Sequence, residues 1–392
     1  MTKHNQLVKQ IEKICSSQNK ETISFLETIV NKESGCFDTE DVNSLGDFLS
    51  KICKSMGAEV TKQKSDIHGD PIACTFNCKA DSDKKRILLI CHRDTVFPHG
   101  TVASRPFTMD DTFCYGPGCA DMKGGIANGI YAIKALQKLG LEIPLEIIFT
   151  SDEEIGSESS SPFVKERAKN AKAAFFLEPA RSNGALVTGR NGGDLINIKV
   201  IGKASHAGNA FADGHSAIHA LCGVIHEMSK LSNEEAGYST NVGVIFGGEG
   251  AIVVAPSAEA KLYTRFSTLE QRKFLLDSFK SIAEKYSKNG IKVEISEPTG
   301  FLPFINNDVN KQLFKLIQEA GDDLGIDVKG IDVKGAADAG ITSCEGVPTI
   351  CGMGIVGGNL HTDLEFAVLS SAEERQKLLV LSIIKANESF PL

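Results

Sequence analysis

Three short apolar runs constrain what this chain can fold into: RILLIC at 86–91, LEIIFT at 145–150 and AAFFL at 173–177. Each has the length and composition of a buried strand. Each breaks abruptly into charge at its carboxyl end, as HRD, SDEE and EP. Helical spacing fills the intervals. It is plainest in MKGGIANGIYAIKALQKLG, where Ile126, Ile130, Ile133 and Leu136 recur and Gly140 ends the run. Strands alternating with helices predict an α/β fold with a mainly parallel sheet, because a helical crossover returns the chain in the same direction. Ligands in such sheets collect at the carboxyl ends of the strands. Charge buried there is costly unless something compensates it.

Five acid and imidazole side chains stand at such breaks or at glycine turns. They are His92 in RILLICHRDTV, Asp121 in YGPGCADMKGG, Glu154 in LEIIFTSDEEIGS, Glu178 in AAFFLEPA and His361 in GGNLHTDLEF. A pair of divalent metal ions would compensate them, which points to metal-assisted hydrolysis. Each segment taken alone also has a plainer reading. If the strand continues past Cys91, His92 and Asp94 face the same way, and the carboxylate can fix which imidazole nitrogen meets a metal. HxD in a solvated loop is equally familiar. Asp121 precedes a helix, where an N-cap aspartate also suits. In SDEE one glutamate can bind metal while its neighbour takes a proton from water; an exposed acidic loop has the same letters. A lone buried Glu178 after an apolar run would be unusual. Two histidines and three carboxylates, one of them bridging, make a co-catalytic zinc set. The mixed nitrogen and oxygen donors also accept cobalt or manganese.

At 392 residues the chain exceeds one ordinary core. Helices are expected at 4–16, 22–31 and 40–56, and strands at 58–63 and 71–77. Near Arg190 the pattern changes to the half-exposed alternation of DLINIKVIG. A helix at 214–231, strands at 241–247 and 258–266, a helix at 269–286 and a strand at 291–296 complete a compact α+β unit. From about 301 the strand and helix rhythm resumes and brings His361. The economical arrangement is a discontinuous domain of 1–191 and 301–392 with 192–300 inserted. The chain has 42 basic and 50 acidic residues, a net charge of −8, which disfavours nonspecific nucleic-acid or anionic-membrane binding. No apolar run approaches the ~20 residues of a membrane helix, and MTKHNQLVKQIEKICSSQNK lacks the apolar centre of a secretory signal. Eleven cysteines without a CxxC pair read as reduced thiols of a cytoplasmic protein. Cys91, Cys114 and Cys119, near the candidate site, read as small buried hydrophobes.

The ordered motifs CHRDTVFPHGT, YGPGCADMKGG, TSDEEIGS, FLEPA, VIGKASHAG and NLHTD resemble the zinc aminoacylase/carboxypeptidase family. That family holds glutamate carboxypeptidases, acetylornithine and succinyl-diaminopimelate deacylases, and dipeptidases. GPG and GKASHAG look most like its glutamate-carboxypeptidase branch. The resemblance implies a catalytic di-metal domain carrying an inserted lid and dimerisation domain, in a homodimer. Asp121 would bridge two ions, His92 and Glu178 would complete one, and Glu154 and His361 the other. Glu153 would be the general base, Asp94 would orient His92, and the Asp121–Met122 peptide would be cis. His206, by itself only a histidine after a strand, would reach the partner subunit's active site and stabilise an oxyanion. His99, His215, His219 and His226 stay surface or helix-face residues. One stretch departs from the pattern: IVVAPSAEAKLYTRF has Ile252 and Tyr263 where relatives carry asparagine and aspartate, but keeps Arg265. Arg265 suits either a substrate carboxylate or a structural ion pair. The implied reaction is hydrolysis of an amide beside a free carboxylate, in a small peptide or an N-acyl amino acid. A dipeptidase or deacylase of the same family, and a catalytically silent metal-binding homologue, are the alternatives.

Overall fold

A computed structural model describes residues 3–390. The chain divides into two compact units. One is Met1–Arg190, Phe304–Val333 and Ala337–Leu392; the other is Asn191–Pro303 with Lys334–Ala336. The first unit is an α/β structure built on an eight-stranded sheet. The strand order is Glu59–Lys62, Ile72–Phe76, Leu145–Thr150, Arg86–His92, Ala171–Phe176, Thr349–Cys351, Leu186–Arg190 and Gly330–Val333. Arg86–His92 runs parallel to both its neighbours, and Thr349–Cys351 is parallel to Ala171–Phe176. Ile72–Phe76 is antiparallel to its neighbours at one edge.

Both faces of this sheet are covered. Ile87, Leu89 and Cys91 point into a core closed by helices Lys3–Val30, Thr39–Ser55, Lys123–Lys138, Asp308–Leu324 and Leu369–Ser389. Leu88 and Ile90 point into a second core closed by Ser160–Ala168 and Ala339–Cys344. Two-sided burial is why these strands read as unbroken apolar runs. The first helix differs from expectation. The polar stretch SSQNKE predicts a break, yet one helix runs from Lys3 to Val30. Gln18, in that stretch, is buried, and its amide donates to the Tyr131 carbonyl and to Gln376. Paired in this way, a polar residue costs little inside a helix–helix contact.

A small four-stranded antiparallel sheet joins distant parts of the first unit, in the order Gly357–Gly358, Phe366–Val368, Phe113–Tyr115 and Thr108–Met109. The second unit has a five-stranded antiparallel sheet. Ser239–Gly247, Ser257–Arg265, Gly193–Ile201 and Lys292–Ile295 follow in order, and Thr299–Phe301 also pairs with Gly193–Ile201. Ile196, Ile198 and Val200 alternate inward against helices Ala217–Ser229 and Leu269–Tyr286. Thr268 and Gln271 start the second of these helices with a reciprocal capping box.

Candidate metal centre

Three neighbouring strands deliver three side chains to one end of the large sheet. His92 is the last residue of Arg86–His92. Glu178 follows Ala171–Phe176, and Glu154 lies in the short 3-10 helix Glu153–Ile155 after Leu145–Thr150. Asp121 enters from the glycine turn before helix Lys123–Lys138, across a cis Asp121–Met122 peptide. His361 enters from the loop between Gly357–Gly358 and Phe366–Val368, with a backbone φ of 62°.

Asp121 stands between two pairs. Its Oδ1 is 3.0 Å from His92 Nε2, which is 3.8 Å from Glu178 Oε2. Its Oδ2 is 3.3 Å from His361 Nε2, which is 3.1 Å from Glu154 Oε2. Ligand atoms of His92, Asp121 and Glu154 also lie within 4.8 Å of one another. Two donors on one tetrahedral ion, each about 2.0–2.1 Å from it, are about 3.3 Å apart. The observed separations straddle that value. His92 Nδ1 donates to the Asp94 carbonyl at 3.0 Å, so Nε2 is the nitrogen turned to Asp121. A carboxylate oxygen facing an imine nitrogen requires a proton or a metal ion between them. The Asp94 carboxylate itself is 3.6 Å from the ring and accepts the Glu154 N–H.

The electrostatics ask for a cation. At the opposite end of strand Leu145–Thr150, buried Glu146 is matched by Arg86 at 3.0 Å and Arg167 at 3.5 Å. At the site, among the described residues, the ion pairs of Asp121, Glu154 and Glu178 are with histidines alone. Burial pushes Glu153 well above the usual carboxylate range and Glu178 up to about 7. Burial also pushes Asp121 up, but hydrogen bonds to His361 and His92 outweigh it and hold that carboxyl below its ordinary range. Hydrogen bonds to Asp121 and Glu154 raise His361 to about 10. Burial disfavours the charged form of His92, yet Glu178 and Asp121 carry it well above an ordinary histidine. The carboxylates thus draw protons onto both imidazoles, in the positions that metal ions would take by displacing them. The donor set fits two divalent ions, with Asp121 shared.

The remaining candidates are outside the ion pairs of this cluster. Glu153 is half-buried beside it and makes no side-chain hydrogen bond among the described residues. His206 is exposed in the second unit, and its Nδ1 accepts the N–H groups of Gly208 and Asn209. That leaves the proton on Nε2, directed outward as a donor. Arg265, also in the second unit, lines a polar cavity of about 260 Å³ with Asn191, Ser239 and Lys334. Its Nε is buried without a hydrogen-bond partner. Tyr263 and Ile252 are exposed. His99 is exposed and pairs with Asp41 at the start of helix Thr39–Ser55, where Asp38 is the N-cap. Cys91, Cys114 and Cys119 are buried, and burial drives the Cys91 thiol far above its ordinary range.

Two buried carboxylates that act electrostatically on the site residues escape the sequence reading. Asp338 accepts the Ser157 hydroxyl, and burial pushes it up to about 7. Glu365 accepts three backbone amides of the Asp121 turn, and burial raises it likewise to about 7. The only local signal for Glu365 is a charge inside LEF, next to the NLHTD motif.

Residues 88–385 match Peptidase family M20/M25/M40. Carboxypeptidase G2 of Pseudomonas sp. (strain RS-16) is 28% identical over 371 residues, covering 92% of this chain and 88% of that protein. The M20 family metallo-carboxypeptidase Sso-CP2 from Sulfolobus solfataricus has the same fold. Its TM-score is 0.72 at 18% identity, over 94% of this chain and 99% of that one. The Bacillus subtilis YXEP protein, a dinuclear metal binding peptidase from the M20 family, gives a TM-score of 0.64 at 16% identity, over 94% and 98% of the two chains.

Proposed function

Since this chain belongs to peptidase family M20/M25/M40 and is thereby a hydrolase of peptide bonds, we propose that it is a di-metal carboxypeptidase of the glutamate-carboxypeptidase kind. It cleaves an amide bond beside a free carboxylate, in a small peptide or an N-acyl amino acid. The observation that carries this reading is Asp121, with one histidine–carboxylate pair on each oxygen and, among the described residues, only histidines ion-paired to the cluster. The likeness to carboxypeptidase G2 along most of both chains supports it.

In this reading His92, Asp121 and Glu178 would hold one ion, and His361, Asp121 and Glu154 the other. Zinc is the first choice, with cobalt or manganese also suited to the donors. Such a pair supplies Lewis acidity, polarising a scissile carbonyl and acidifying a water molecule. Glu153, with its side chain untied, is placed to take a proton from the attacking water and hand it to the leaving amine. Asp94 fixes the His92 ring through its carbonyl and the Glu154 backbone through its carboxylate. His206 offers its Nε2–H to the developing oxyanion, and Arg265 grips the substrate carboxylate. The second unit serves as lid and dimerisation module of a homodimer. Eleven cysteines, all free, favour a cytoplasmic setting.

The test is amide hydrolysis by zinc-reconstituted protein, with a chelated control, across dipeptides and N-acyl amino acids whose terminal carboxylate is free or amidated. Release from the free acids alone, abolished by chelator, is expected. Equal release from the amidated substrates would sink the carboxypeptidase reading. A requirement for a free amino terminus would instead make the enzyme a dipeptidase.

A further inference from the structure

Glu365 lies outside the ligand set and is only 1% exposed. Its Oε1 accepts the N–H groups of Ala120 at 2.9 Å and Asp121 at 3.0 Å, and its Oε2 accepts that of Gly118 at 3.2 Å. A run of backbone amides converging on one anion is a nest, and here a side chain of the same molecule fills it. The small antiparallel sheet explains the meeting. Phe366 pairs opposite Tyr115, so the residue before the one lies beside the turn that follows the other. The hairpin from Gly357–Gly358 to Phe366–Val368 carries His361 in its loop and Glu365 at the base of its second strand.

We propose that Glu365 is a positioning residue that locks the Asp121 turn to the His361 hairpin, fixing the distance between two ligands far apart in sequence. The inference rests on the metal-centre reading above for its functional consequence, although the clamp itself needs no metal. A carboxamide at 365 keeps the volume but offers one acceptor oxygen where the carboxylate has two. Its NH2 group would then face a backbone N–H, leaving at least one amide of the nest without a partner.

The experiment compares the full-length wild type with Glu365→Gln, Glu365→Asp and Leu381→Ala. Leu381 is 1% exposed in the Leu369–Ser389 helix, so its truncation lowers stability while leaving the acceptors of the turn's amides in place. Hydrogen exchange on the metal-free proteins is expected to show lost protection at Gly118, Ala120 and Asp121 in Glu365→Gln. Leu381→Ala should not show that local loss, and Glu365→Asp, which keeps the carboxylate, should regain part of the protection. Zinc affinity, measured by competition with a chromophoric chelator, should fall about 10–100-fold in Glu365→Gln, as for other groups that orient metal ligands. Unchanged exchange at those amides in Glu365→Gln, or a loss no more local than that of Leu381→Ala, would overturn the proposal. If the wild type itself bound no zinc, the metal reading would fall, and the exchange data would still decide the clamp.

Discussion

Glu153 and Glu154 are adjacent, yet the structure treats them differently. The Glu154 carboxylate is 3.1 Å from His361 and its backbone N–H is held by Asp94. Glu153 has no side-chain hydrogen bond among the described residues, and burial, helped by the neighbouring Glu178, Asp338 and Glu154 against His92, pushes its carboxyl upward. A ligand needs to be held; a base that picks up and delivers a proton needs room to move. Glu153→Gln, of equal size, should keep both metal ions by elemental analysis and lose about 10²–10⁴-fold in turnover. Full activity in that variant would remove the base assignment. His206 makes the complementary case. With Nδ1 occupied by two backbone N–H groups, the ring presents a donor without needing to be charged. His206→Ala is expected to lower kcat by about 10²–10³-fold with metal content unchanged. Loss of metal instead would mean that His206 supports the centre and not the oxyanion.

Among the secondary-structure elements, helix Lys123–Lys138 sets how closely the Asp121 turn approaches the Glu178 strand. A Cβ on Gly125 would lie 1.9 Å from the Leu177 carbonyl oxygen, a backbone atom directly before Glu178. Replacing a helical glycine by alanine normally gains up to about 1 kcal/mol. Here that gain meets an overpacking cost of about 1–3 kcal/mol or more, because backbone and not a flexible side chain must yield. Gly125→Ala should therefore lower the urea midpoint; an unchanged or raised midpoint would show that the helix can move away. The central strands of the large sheet were legible because they are buried on both faces and announce themselves as apolar runs. The helix Lys3–Val30 was misread as two because a buried glutamine looks like a break until its partners, Tyr131 and Gln376, are known. The small sheet was missed because strands such as Gly357–Gly358 and Phe113–Tyr115 are too short to show a period. With it went Glu365, whose role depends on a pairing between residues 115 and 366. His92, Glu154 and Glu178 stood out as candidates because a charge at the end of an apolar strand is a local signal, whereas the nest of amides that Glu365 fills is not.

At the scale of the whole molecule, strand Ser239–Gly247 stands at the edge of its sheet, and its sequence STNVGVIFG contains neither charge nor proline. Val244, Ile245 and Phe246 are exposed along it. Edge strands of monomeric proteins are usually guarded by lysine, proline or a covering element. An unguarded edge that pairs with its own copy about a two-fold axis satisfies both edges with one self-complementary surface. The protein should therefore sediment as a dimer, and Ile245→Lys should sediment as a monomer. The proposed action of His206 in the partner's site can then be tested by complementation. In a heterodimer of Glu153→Gln and His206→Ala subunits, action across the interface leaves one site with both an intact Glu153 and an intact His206. Random pairing makes half of the dimers heterodimers, so co-expression should restore about a quarter of wild-type activity. If His206 acts within its own subunit, every site lacks one of the two residues. The mixture would then be as inactive as its parents, even with the dimer intact.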